Sequence, residues 1–381
     1  MYYSYMDDSA QPLSQQQASS QPEIISDQTK AADQIRRLGD KVEKAAVPPG
    51  LKQALLERVS RLALLRSSAG FMSSSYILEY ENTSSYINWV VGLPWNSGTQ
   101  DLLDLVHAKQ VLDKNHYGLD IIKNRILEYL ATIILNLRNK NTNNIIHAPI
   151  LCLVGLAGTG KTTLAASIAE SLGRKFERIP FGGMGDSRAL RGQSRAFPDA
   201  EPGAVVKKLT HSQSSNPVFL LDELDRVTES ARADIMGVLV ELLDPEQNFA
   251  FTDHYIDYPF NLSTVLFVAT ANNTNNISTA VLDRLEIIQM PSYTDEEKIV
   301  IAKNYLFAKI RRQSGLSENQ LLINETVWSG IIRPLGYDSG IRSLERTIDG
   351  ICRKAARLII EGKTQVVSVD DTNIKQFMPS W

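Results

Sequence analysis

Pro149-Ile-Leu-Cys-Leu-Val-Gly155-Leu156-Ala157-Gly158-Thr159-Gly160-Lys161-Thr162-Thr163 is an apolar, strand-like run that ends in a glycine-rich turn and hands over to Lys-Thr-Thr. Beyond it, Leu164, Ala165, Ile168, Ala169 and Leu172 recur at helical spacing. Strand, turn and helix in that order are the context in which the G-x-x-x-x-G-K-[ST] pattern means a phosphate cradle. Glycines let the backbone wrap an anion and aim N–H groups at it, and the helix N-terminus adds the positive end of its dipole. The segment Gly155 to Thr163 is therefore expected to hold a nucleotide such as ATP. Lys161 would reach the β- and γ-phosphates, and the Thr162 hydroxyl would ligate Mg²⁺.

The rest of the composition narrows the class. The 381 residues suffice for two or three domains, and 40 basic against 43 acidic residues leave a net charge of −3. No global field recommends nucleic acid or an anionic membrane as a partner. Two cysteines, Cys152 and Cys352, form neither a ligand cluster nor a disulfide framework, which suits a reducing compartment. No apolar run approaches the ~18 residues of a membrane span. Asp7 and Asp8 stand where a secretory leader would be basic, so a cytoplasmic location is expected.

Along the chain, residues 1–30 are rich in Ser and Gln and read as a disordered tail. From 31 to 117 the pattern is helical, with Leu51, Leu55, Val59 and Leu62 at three and four and a second run from Ser75 to Val91, broken by Gly92-Leu-Pro-Trp95-Asn96 and resumed from Asp101 to Leu112. Residues 118–291 alternate helical patterns with strand-like runs at Phe176–Phe181, Val218–Leu221, Thr264–Ala271 and Glu286–Met290. That alternation predicts an α/β fold, a parallel sheet sandwiched between helices. After Pro291, residues 292–381 read as a small, mostly helical domain with a short strand at Val366-Val-Ser-Val.

Two further strands end in suggestive residues. Val218-Phe-Leu-Leu-Asp222-Glu223 closes four apolar residues on two carboxylates. In an open α/β sheet such ends gather around the ligand, so Asp222 suits the Mg²⁺ shell and Glu223 suits a base for an attacking water. Asn272, at the end of Ala269-Thr-Ala, can donate to the γ-phosphate or fix that water, although asparagine also favours turns there.

The motifs Leu242-Leu-Asp-Pro-Glu-Gln-Asn248, Thr252-Asp-His-Tyr255, Leu282-Asp-Arg284-Leu-Glu-Ile-Ile, Tyr293-Thr-Asp-Glu-Glu-Lys298 and Gly340-Ile-Arg342-Ser-Leu-Glu-Arg346 join the P-loop and the Asp222-Glu223 pair. Together they resemble the AAA+ ATPase module of Lon-type ATP-dependent proteases, nearly collinearly from about residue 36 to 375. The resemblance implies an ATP hydrolase with a helical lid, assembled as a homo-oligomeric ring, hexameric by analogy, and acting on unfolded or misfolded protein. By it, Asn272 is similar to sensor 1, Arg284 to the arginine finger that reaches a neighbour's nucleotide, and Arg342 to sensor 2. Phe197 stands where the family has a pore-lining aromatic that grips polypeptide.

The sequence also departs from that pattern. Pro198 and Asp199 replace an aliphatic residue and glycine beside Phe197, Ala231-Arg-Ala-Asp-Ile235 lacks the family's glycine and proline, and Leu156-Ala157 replaces Pro-Pro in the P-loop. No segment like the family's Pro-Lys-Asp-Gly-Pro-Ser serine site occurs in these residues. The expectation is a motor without the proteolytic and N-terminal substrate-recognition domains. Two alternatives stay open: the ATPase portion of a serine protease whose peptidase lies on a missing or separate chain, or a nucleotide-gated scaffold that threads nothing.

Overall fold

The computed structural model describes residues 21–69, 73–139, 149–332 and 340–379. The chain divides into two compact units, residues 1–95 and 96–381. In the first, α1 (Gln21–Lys44), α2 (Pro49–Ala69) and α3 (Ser74–Gly92) pack pairwise. Leu51, Leu55, Val59 and Leu62 of α2 are all buried, as their spacing requires. The Ser73 side chain caps α3 by accepting from Tyr76 N.

The expected disordered tail is only partly within view. Residues 1–20 lie outside the described residues, whereas 21–30 form the first part of α1. After Pro22 no proline or glycine occurs until Gly39, and Ile35, Leu38 and Val42 bury the helix further on. Extending an anchored helix costs far less than nucleating one, so a polar stretch can join it.

In the second unit, α4 (Leu105–Asn115) and α5 (Asp120–Asn139) precede β1 (Ile150–Val154) and α6 (Lys161–Leu172). Strands β2 (Phe176–Pro180) and β3 (Val218–Asp222), a hairpin of β4 (Phe251–Thr252) with β5 (Pro259–Phe260), then β6 (Leu266–Ala271) and β7 (Leu285–Gln289) follow. The sheet order is β2-β3-β6-β1-β7, and every neighbouring pair is parallel. β1, β3 and β6 are buried along their whole length, the signature of strands covered on both faces. Their carboxyl ends open on the same side, where the P-loop lies.

Residues 96–117, read from sequence with the preceding helices, group with the second compact unit. Ala108 and Leu112 of α4 share a core with Leu164 and Ile168 of α6. Arg174 clamps Asp101 through Nε and Nη2 at 2.7 and 2.8 Å, and Asn216 accepts from Thr99 N at 2.8 Å. These ties make residues 96–117 part of the α/β unit. The helical pattern alone could not assign them to a partner surface.

The lid begins with a capping box in which Thr294 and Glu297 satisfy each other's backbone N–H, opening the helix Asp295–Ile301. A π-helical stretch, Ala302–Phe307, and helices Ala308–Gln313, Val327–Ile332 and Arg342–Ile360 continue it. Phe307 meets Trp328 edge to face at 5.7 Å. The expected strand near 366 is β9 (Val367–Val369), and its parallel partner β8 (Leu321–Ile323) was too short to read from sequence.

Candidate functional site

Glycine at 160 has a practical consequence. With φ at 92° it turns the chain in a conformation other residues rarely adopt, so that the next residue, Lys161, starts α6. The first N–H groups of α6 are thereby directed to the end of the sheet. Opposite, the lid comes within reach: Ile341 N donates to the Gly158 carbonyl at 3.1 Å, and a Cβ on Gly340 would stand 2.4 Å from the Ala157 oxygen. Arg342, the first residue of its helix, is delivered to the same place.

A cavity of about 320 Å³ results, lined by Ala157, Gly158, Gly160, Lys161, Thr162, Thr163, Asp222, Glu223, Asn272 and Arg342 among others. Gly155, Leu156 and Thr159 are not among the residues that line it. The Leu156 carbonyl accepts from Thr159 Oγ1 at 3.0 Å, and the Thr159 carbonyl accepts from the Tyr293 hydroxyl at 3.2 Å. These hydrogen bonds brace the turn.

The Lys161 ammonium donates to the Gly155 and Leu156 carbonyls at 2.5 and 3.0 Å and to Asn272 Oδ1 at 3.2 Å. Burial lowers its pKa, while Asp225, Asp222 and Glu223 pull the other way. Asp222 has both oxygens engaged: Oδ1 takes the Thr270 hydroxyl and Oδ2 accepts from Arg178 Nε at 2.6 Å. Thr270 Oγ1 also accepts from Glu223 N at 3.0 Å, fixing the backbone of a residue in the left-handed region at φ 61°.

Three of these partners carry weight that sequence reasoning did not give them. Fully buried Thr270 ties β6 to the acidic end of β3. Asp225 accepts from Asn272 N at 3.1 Å and holds the two strand ends in register. Arg178 lines the cavity from β2. The available signal was period-two alternation, which puts Arg178 on the same strand face as Pro180, the register partner of Asp222.

A second cavity, about 430 Å³, shares Gly160, Thr163 and Ile341 with the first and is otherwise lined by residues that include His116, Tyr117, Tyr293, Ile301 and Leu306. His116 Nε2 lies 2.9 Å from Ser167 Oγ, and burial pushes its pKa down to about 4, leaving a neutral ring at pH 7. In the sequence, His116-Tyr117-Gly118 looks only like a helix stop.

Arg284 and Phe197 lie elsewhere. The Arg284 guanidinium donates to Asp244 Oδ2 at 2.9 Å and to the Ala280 carbonyl at 2.8 Å, and it does not line its own chain's cavity. Phe197 is 58% exposed on a loop whose base is pinned by buried Asp253, which accepts from Gly203 N and Tyr255 N, each at 2.8 Å. Asp199 takes the left-handed conformation at φ 55°, one that aspartate tolerates better than most residues, in place of the family's glycine. The helix Arg232–Leu243 starts directly after a 3-10 turn, Glu229–Ala231, in the segment that departs from the family pattern.

Comparison with known proteins gives a consistent picture. Residues 151–293 match the family described as ATPase family associated with various cellular activities (AAA), and residues 312–367 match the Lon protease AAA+ ATPase lid domain. The chain is 40% identical over 354 residues to the Lon protease of Lawsonia intracellularis, spanning 93% of this chain and 41% of that protein. Lon protease 1 of Bacillus subtilis is 41% identical over 354 residues, with 93% and 44% covered, and the Lon protease of Desulforamulus reducens is 42% identical over 337, with 88% and 40%. The chain thus spans about two fifths of the length of these relatives. Among the described residues no helix is long and apolar enough to cross a membrane.

Proposed function

We propose, on the premise that this chain belongs to the Lon-type AAA+ ATPases, that it binds Mg-ATP between its α/β core and its lid and hydrolyses it to do work on protein substrates. The observation that carries this reading is the convergence of Lys161, Thr162, Asp222, Glu223, Asn272 and Arg342, from three strand ends and the lid, on one cavity. The donor set fits the metal, since a hydroxyl and a carboxylate are hard oxygen ligands of the kind magnesium takes. When bound, the ion would neutralise charge on the phosphate oxygens. Thr162 and Asp222 would hold it.

The chain's own groups have distinct tasks. Lys161, now spent on loop carbonyls, exchanges them for phosphate oxygens, a stronger charge-assisted partner. Arg342 reaches the same phosphates from the lid, so lid position and phosphate state are linked. Glu223 orients a water and takes up its proton, while Asn272 fixes where that water sits. The apolar and aromatic walls of the second cavity suit the base, with neutral His116 beside Ser167.

Arg284 would serve a neighbouring subunit. Its absence from the lining of its own chain's cavity supports a role on the next subunit's γ-phosphate, where a cation can stabilise the transition state by ~10³–10⁵ in rate. Ring assembly, with six copies by analogy, follows from that role. The exposed, anchored Phe197 supports a grip on threaded polypeptide and favours remodelling over a scaffold that threads nothing. Coupling to a serine peptidase, on a longer or a separate chain, is the wider role that the Lon relatives suggest.

The test is ATP turnover per subunit against protein concentration, with and without an unfolded protein. The reading expects a cooperative rise as rings form and a further rise with the unfolded protein. A rate that is constant down to the isolated subunit would contradict it.

A further inference from the structure

Among the described residues three basic side chains line the phosphate cavity, Lys161, Arg342 and Arg178, and the reading above leaves Arg178 without a task. Its position is set by the sheet. β2 runs parallel to β3 with Pro180 opposite Asp222, and Arg178 lies two residues back on the same face. From there the side chain extends along the strand to put Nε 2.6 Å from Asp222 Oδ2.

The pair is asymmetric. The Asp222 side chain is only 7% exposed, whereas that of Arg178 is 52% exposed. A carboxylate so nearly withdrawn from water is costly unless its charge is compensated. Thr270 satisfies Oδ1 with a neutral hydroxyl, so the compensating charge on the carboxylate itself comes from Arg178. The carboxylate is then claimed twice, because it would also be the metal ligand in the proposed function.

We propose that Arg178 is a resident counter-ion for Asp222 that competes with the divalent cation for this carboxylate and stands in for its charge when metal is scarce. This inference rests on the nucleotide-binding reading. Arg178 screens the phosphates from the negative charge of Asp222, and it yields the carboxylate as the cation arrives. A guanidinium is suited to such an exchange: it is always charged and weakly hydrated. Nucleotide affinity without metal is thereby kept up, and the advantage conferred by metal is correspondingly reduced.

The experiment measures equilibrium binding of methylanthraniloyl-labelled ADP to the full chain in excess chelator and in saturating Mg²⁺. For Arg178→Met the ratio of the two dissociation constants should rise about tenfold over wild type, mostly through weaker binding in chelator, the size of one charge-assisted contact. Arg178→Lys should recover part of that loss, since a cation is retained. In an Asp222→Asn background, where no carboxylate needs compensation, Arg178→Met should change binding in chelator by less than about twofold. This last pair separates the charge role from a folding defect, which would weaken both backgrounds alike. An unchanged ratio in Arg178→Met overturns the counter-ion while leaving nucleotide binding intact. Absence of binding by the wild type in both conditions overturns the counter-ion and the nucleotide site together.

Discussion

In the phosphate cavity the strand-end groups hold one another: Thr270 ties Asp222 to the Glu223 backbone, Asp225 ties down Asn272, and Lys161 spans the P-loop and Asn272. The loop bearing Phe197 is held at its base by Asp253, and its aromatic stands 58% exposed at the far end. The first region is built for preorganisation, with rigid strand ends fixing charges before anything reacts. The second presents an exposed aromatic from a surface loop, the kind of segment on which binding residues are commonly carried. Loss of a group should therefore be severe in the cavity and graded on the loop.

That contrast can be attacked at its strongest point first. Arg284→Ala should leave nucleotide affinity within about twofold while turnover in the assembled protein falls ~10³-fold. Rate and affinity falling together would place Arg284 in its own chain's site and break the separation between subunits. Lys161→Ala should weaken ATP binding by about a hundredfold, the loss of a charge-assisted contact at a partly buried site, as measured by calorimetry. Binding that stayed near wild type would mean that the loop backbone alone carries the phosphate. The smallest effect is expected on the loop. Phe197→Ala should leave turnover without substrate unchanged and reduce the stimulation by an unfolded protein severalfold. A collapse of basal turnover would show that the loop belongs to the catalytic scaffold.

How far the sequence could be read follows the same division. Strand ends with Gly160, Asp222 and Asn272 were legible because their residue types are demanded by local chemistry at fixed spacing. Adjacency of β3 and β6, which brings Asn272 beside Glu223, needed the sheet order. Thr270 and Arg178 were hidden because a threonine in an apolar run and an arginine in an alternating strand look ordinary until a partner strand faces them. The short parallel pair β8 and β9 joins residues too far apart for any local pattern to show. The break at Gly92-Leu-Pro-Trp95 was visible, but the start of α1 and the unit to which residues 96–117 belong depend on which surfaces bury the helices, and periodicity does not reveal that.

The central claim, that Glu223 drives hydrolysis of a nucleotide held by an otherwise complete cavity, is tested most directly with Glu223→Gln. Binding and turnover of ATP should be measured on the same preparation. The account predicts wild-type affinity with turnover reduced at least ~10²-fold, the range of a lost general base. Turnover equal to wild type at equal affinity would contradict it.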